Sequence, residues 1–159
     1  MLAWNVIGTI ASVVGLLVGL WVLAVASGAR DAANEARRLA QRKNLVEELE
    51  QASEKTQQLG IFAKSQQAAI VHLRANEVIV ACSSVLTRWS DHLGVDTRNA
   101  LLTARTKIRS IATLVSQQPE PTESQWASIA TTQLDVVEMI SGALGEARRT
   151  EERGTIQND

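Results

Sequence analysis

The hydrophobic pattern divides the chain in two. Leu2 to Ser27 is a run of 26 residues with no charged side chain, rich in Leu, Val, Ile, Ala and Gly. A bilayer core takes about 20 apolar residues in a helix, and this run is apolar on all sides, so it predicts a membrane-spanning helix rather than an amphipathic one. A secretory signal peptide is the competing reading. It would need a basic lead and a shorter apolar core, and only the AVAS at residues 24–27 fits it. After Arg30 the pattern becomes polar with periodic apolar positions. The first helix continues to about Leu59 with a thin stripe of Leu39, Val46 and Leu49, and Gly60 is the expected C-cap or hinge. A second helix is expected from Ile61 to Trp89, with Ala68, Val71, Ala75, Val78, Cys82, Val85 and Trp89 on one face. Gly94 ends that pattern, and Asp96 is the expected cap of a third helix carrying Leu101, Ala104, Ile108, Ile111 and Val115. Pro119 and Pro121 break the third helix. Thr122-Glu-Ser-Gln125 then forms a capping box for a fourth, with Trp126, Ile129, Ala130, Val137, Ile140, Leu144 and Ala147 on its apolar side.

The fold class that follows is all-α: one N-terminal transmembrane helix continuing into a cytoplasmic helical bundle. The segments are a transmembrane helix at 1–28, a helical stalk at 29–60, a bundle at 61–150 and a flexible tail at 151–159. No strand-like alternation and no internal repeat compete with this reading.

A second pattern runs along the first helix. With Asn5 at heptad position a, the a and d positions are Asn5, Gly8, Ser12, Gly15, Gly19, Val22, Ala26, Ala29, Ala33, Ala36 and Ala40. All but Val22 are small or Asn. Small residues on one face let helix backbones approach closely, which is how membrane helices associate when lipid solvates Leu as well as a neighbour does. The phase holds past the apolar run, so it predicts helix association and a homo-oligomer. Gly28 lies inside this stretch and is a candidate kink. Asn5, Thr9 and Ser12 form a short polar strip that either faces a lumen or bonds back to its own helix.

Charge supplies orientation. All 33 Asp, Glu, Lys and Arg residues lie from Arg30 onward, and the cluster Arg30, Arg37, Arg38, Arg42 and Lys43 follows the apolar run directly. The positive-inside rule then puts the bundle in the cytoplasm and the N-terminus outside. Trp4 and Trp21 are 17 residues apart, roughly 25 Å along a helix, the separation of two interfacial anchors; Arg30, Arg37 and Arg38 belong to the inner interface. The cluster also suits anionic headgroups, although Asp31 and Glu35 dilute it. Net charge is −1, which excludes a general nucleic-acid binder driven by positive charge.

Candidate chemistry is sparse. One cysteine and two histidines leave no metal site in prospect, and no cofactor is implied. No Gly-rich phosphate loop or GxSxG elbow is present. Cys82 sits on an apolar face and reads as core packing, and His72 as a core-edge residue. Asp135 and Glu138 share a face of the fourth helix and read as solvated carboxylates. Arg98, Arg105 and Arg109 share a face of the third, where Lys107 adds to the charge, without aromatic residues to stack bases. Arg88-Trp-Ser-Asp91-His92 is the one catalytic candidate. Helical ribonucleases of the HEPN class carry Arg-x(4–6)-His, whereas three residues separate Arg88 from His92 here. The plainer reading is a helix end on which Arg88 and His92 share a face, Asp91 pairs with Arg88 and His92 complements the dipole. No enzyme is expected.

The apolar run, the alanine-rich RDAANEARRLA at residues 30–40 and the Arg88/His92 pair together resemble the layout of small bacterial membrane proteins encoded in anti-phage defence loci. The membrane accessory proteins of type VI CRISPR systems, which assemble as rings with a degenerate HEPN-like bundle, are similar in size. That resemblance implies a pore-forming or membrane-perturbing effector. The other expectation is a membrane-tethered adaptor whose bundle docks a cytoplasmic protein. In both the lipid bilayer is a partner.

Overall fold

In the computed structural model the backbone is described for residues 2–156 and the side chains for residues 21–23 and 25–150. The described residues form four helices and no strand: α1 (Leu2–Lys64), α2 (Ala68–Arg88), α3 (Val95–Gln117) and α4 (Glu123–Ile156). The chain separates into two units, residues 1–40 and residues 41–159. The second is a four-helix bundle made by the last part of α1 with α2, α3 and α4. The expected stalk at 29–60 therefore divides after Ala40, and its later half supplies core residues: Leu45, Val46, Leu49, Ala52 and Leu59 are buried.

Each helix of the bundle packs against the next in sequence, and α4 closes against α1. The α2 face is the expected one, with Val71, Ala75, Val78, Cys82 and Val85 buried, and so is that of α3, with Leu101, Ala104, Ile108, Ile111 and Val115 buried. Leu49, Leu59, Leu101, Ile108, Ile129 and Ile140 are the largest fully buried side chains. Truncating any one to Ala would cost roughly 2–5 kcal/mol. Among the described residues α2 is also the helix long and apolar enough to cross a membrane. Part of its apolar content is the stripe it gives the bundle; Leu73 and Val80 are exposed on the opposite side, and Arg74 pairs with Glu77 at 2.7 Å. The expected span at 1–28 is helical in α1. The side chains of residues 1–20, which include Trp4, Asn5, Gly8, Thr9, Ser12, Gly15 and Gly19, lie outside the described residues.

Several boundaries correct the sequence reading. The first helix does not stop at Gly60, and the second does not begin at Ile61. Helix α1 continues to Lys64, because Gly60 has a packing role. A Cβ there would lie 2.8 Å from the amide end of Gln133, which is buried and donates to the Thr56 carbonyl at 3.0 Å. The turn comes later. Gln66 has φ 55°, the Gln67 N–H donates to the Phe62 carbonyl and the Gln66 N–H to the Ala63 carbonyl. These are the paired bonds of a Schellman motif, with glutamine in the left-handed position that glycine usually takes. α1 remains helical through Gly28. α3 begins at Val95 with Gly94 as N-cap and no side-chain cap, so Asp96 sits in the first turn rather than capping it. On α4 the buried row is Trp126, Ile129, Gln133, Val136, Ile140 and Ala143, so Val136 replaces the expected Val137 and a polar residue enters the core. The capping box forms as expected: the Thr122 N–H donates to Gln125 Oε1 at 2.7 Å and the Gln125 N–H to Thr122 Oγ1 at 3.4 Å. α4 then runs to Ile156, through most of the expected tail.

Two predictions follow from this packing. Gln66→Gly relieves a left-handed residue that carries a Cβ, and thermal or denaturant unfolding should show a gain of about 1 kcal/mol. Gly→Ala should have opposite signs at two helical positions. Gly142 has nothing within 4 Å of its would-be Cβ, so alanine there should stabilise by roughly 0.5–1 kcal/mol. At Gly60 the methyl displaces Gln133, and the loss of a buried hydrogen bond plus overpacking, roughly 1–3 kcal/mol, outweighs the gain in helix propensity.

Candidate functional sites

The Arg88–His92 pair is not assembled as the sequence suggested. α2 ends at Arg88, so His92 is not one turn further along the same helix. Arg88 reaches across to α1 and pairs with Glu48, not with Asp91. Asp91 instead accepts from the hydroxyl of Ser90 at 3.1 Å. His92 packs edge to face against Trp89, with ring centroids 5.8 Å apart. The helix breaks here because Trp89 is the C-cap and the following residues turn toward Gly94. The Trp89 carbonyl accepts both the His92 and Leu93 N–H groups.

The other sequence candidates have structural partners. His72 bridges helices: its Nδ1 lies 3.1 Å from the Ala112 carbonyl, and its Nε2 lies 3.1 Å from the Asn76 side-chain amide. This network places the proton on Nδ1. Asp135 pairs with Lys107 of α3 at 2.6 Å. Glu138 lines a shallow groove with Asp96 and Glu146, an acidic surface without a ligand-holding feature. Arg98 and Arg109 are exposed on α3, while Arg105 is half-buried with an Nε that has no acceptor. Among the described residues no group of three or more His, Cys, Asp or Glu is arranged to hold a metal ion. Cys82 is fully buried, and burial pushes its thiol up to about 11, an effect that the nearby Arg105 charge partly offsets.

A partly enclosed concavity lies at the end of the bundle where α1 enters it. A cavity of about 170 Å³ opens between Arg42 and Leu45 of α1, Trp89, His92 and Leu93 of the α2–α3 connection, Thr97 of α3, and Glu146 and Ala147 of α4. Its lining comes from three separate stretches of chain, 41–45, 89–97 and 146–150, which is why sequence spacing did not reveal it. One Glu146 carboxylate oxygen accepts from the Thr97 hydroxyl, and the other lies where a side chain on Gly94 would meet it, 3.0 Å from the would-be Cβ. A carboxylate beside the first turn of α3 offsets the helix dipole that the missing side-chain cap leaves exposed. Trp89 is only 7% exposed, and its indole N–H has no acceptor.

The second feature belongs to α1. Trp21, Val22, Leu23 and Val25 are exposed, Trp21 to 69% and Leu23 to 68%. Ala26, Ala29, Ala33, Ala36 and Ala40 of the expected seam are exposed as well, as are Arg30, Arg37 and Arg38. The part of the seam that falls within the described residues is thus uncovered in a single chain.

The thiol chemistry is testable. Cys82 should resist iodoacetamide at pH 8 in the native protein and react at the rate of a free thiol once unfolded. Because its folded value is raised, the stability it contributes is complete below pH 9, the ordinary value. That stability is lost as the pH rises toward 11, since the unfolded thiol ionises first.

The chain matches no family model, no curated protein and no solved structure.

Proposed function

We propose that the chain is a membrane-anchored helical protein that self-associates through its first helix and perturbs the bilayer that holds it. The observation that carries this reading is the exposure of consecutive apolar residues on α1. Trp21, Val22, Leu23 and Val25 step round the helix at about 100° per residue, so no single protein face would cover all of them. They end a run of 26 uncharged residues. Large exposed apolar surface is costly in water and neutral in lipid. The exposed alanines that follow offer the close backbone approach on which helix association depends. With the basic cluster after Ala29, the reading places the bundle on the cytoplasmic side of a bacterial inner membrane. The layout resembles that of small membrane proteins in anti-phage defence loci, which suggests the biological setting.

A second reading, a membrane-tethered adaptor, is favoured by the bundle. Residues 41–159 form a compact unit with its own core and cavity, which a span need only localise. Two measurements separate the readings. Light scattering of the detergent-extracted protein, with the micelle mass subtracted, should give about five or more copies if the helices enclose a lumen. Gly15→Leu with Gly19→Leu should reduce that number. Replacing residues 2–27 by an unrelated span should abolish ion flux through liposomes under the effector reading. A stable monomer or dimer, or unchanged cellular activity after the replacement, transfers the case to the adaptor.

A further inference from the structure

We infer that the cavity at the α1 end of the bundle is a binding site for a small apolar carboxylate, one ring or a short branched chain bearing a single acid group. Size sets the body of the ligand. A protein cavity of about 150 Å³ accommodates benzene, and this one measures about 170 Å³ with Leu45, Leu93, Ala147 and the Trp89 ring in its walls.

The polar groups set its head. Trp89 is buried, and its indole N–H donates to nothing. A buried donor without an acceptor is uncommon and costs free energy until something accepts from it. Arg42 lines the same cavity and has no ion-pair partner among the described residues. Glu146, the carboxylate in the same lining, forms no ion pair with it and accepts instead from the Thr97 hydroxyl. An unpaired guanidinium and an unpaired indole N–H are both donors, and a carboxylate is the acceptor that satisfies two donors at once. His92, stacked edge-on against Trp89 at the same cavity, closes the site on one side. An amine would meet the like charge of Arg42 and would leave the indole N–H without an acceptor. This inference does not depend on the membrane reading, since every residue it uses lies between Arg42 and Ala147.

The test is isothermal titration of the full chain in detergent with sodium benzoate, and with benzylamine as the cation of matched size. Benzoate should bind and benzylamine should not. Arg42→Gln, at a half-exposed position where folding is not at stake, should weaken benzoate by roughly tenfold. Trp89→Phe, which keeps the ring and removes the donor, should weaken it by roughly fivefold. Absence of benzoate binding, binding unchanged by Arg42→Gln, or tighter binding of benzylamine would each overturn the assignment. If Trp89→Phe fails to fold, the Arg42→Gln and benzylamine measurements still decide. A benzoate site would stand whether or not the protein assembles in membranes.

Discussion

The bundle depends on the way α1 lays Leu49, Ala52, Thr56, Leu59, Gly60 and Ala63 into the space left by the other three helices. Leu49, Ala52, Thr56, Leu59 and Ala63 step by three and four, Gly60 lies beside Leu59 one turn after Thr56, and every one of them is buried. A polar contact sits in the middle of them. Thr56 returns its hydroxyl to the Ala52 carbonyl at 2.7 Å, so that buried hydroxyl is paired. The Thr56 carbonyl then takes the Gln133 amide from α4. Gly60, one turn further on, has no side chain because that amide occupies the space. A buried polar pair of this kind adds little net stability against an apolar alternative, but it admits one register between α1 and α4. Sliding α1 by a turn would strand the Gln133 amide in an apolar core.

The long-range ion pairs act in the same direction with less force. Arg88 with Glu48 ties α2 to α1, Lys107 with Asp135 ties α3 to α4, and Arg148 with Glu50 ties α4 to α1. Each has at least one partner well exposed, so each contributes about 0–1 kcal/mol. Their value lies in orientation: they mark the edges of an arrangement already determined by the buried rows. Arg88 illustrates how such a role can imitate a catalytic one. Its charge and its distance from His92 suggest a ribonuclease pair, yet its contact is with a carboxylate 40 positions earlier.

What the sequence revealed and what it hid divide along physical lines. Features set by local rules were legible. The α2 and α3 faces follow from apolar periodicity, the start of α4 from a Thr and a Gln three residues apart, and the end of α3 from two prolines. Features created by distant contacts were not. Gly60 looks like a helix stop until Gln133, 73 positions away, is seen beside it. Gln133 is not among the expected apolar positions of α4, yet it is buried, and the row runs through it to Val136 rather than Val137. The Schellman turn was hidden for a different reason. Its hydrogen bonds are ordinary, but the residue at its left-handed position is Gln66 where a reader looks for Gly. The cavity belongs to the distant class too, since no window of sequence contains more than a part of its lining.

Helix α1 carries two kinds of apolar surface with different physical requirements. From Leu45 onward it has a stripe that one bundle satisfies. At Trp21, Val22, Leu23 and Val25 it exposes apolar side chains in several directions, a geometry that suits a surrounding solvent of lipid rather than a neighbouring face. Residues 26–40 fall under neither description. Their alanines are too small to gain much from burial in water, at roughly 0.8 kcal/mol per buried methylene-sized group, and five charged residues share the segment. Area burial is therefore a weak reason for this stretch to associate. Backbone proximity is a stronger one, because a row of small residues lets two helices approach until their main chains are in dispersion contact. Association driven in this way is sensitive to shape rather than to hydrophobicity. A single large side chain in the row would do more harm than a loss of apolar character, and a change of charge on the opposite face would do little.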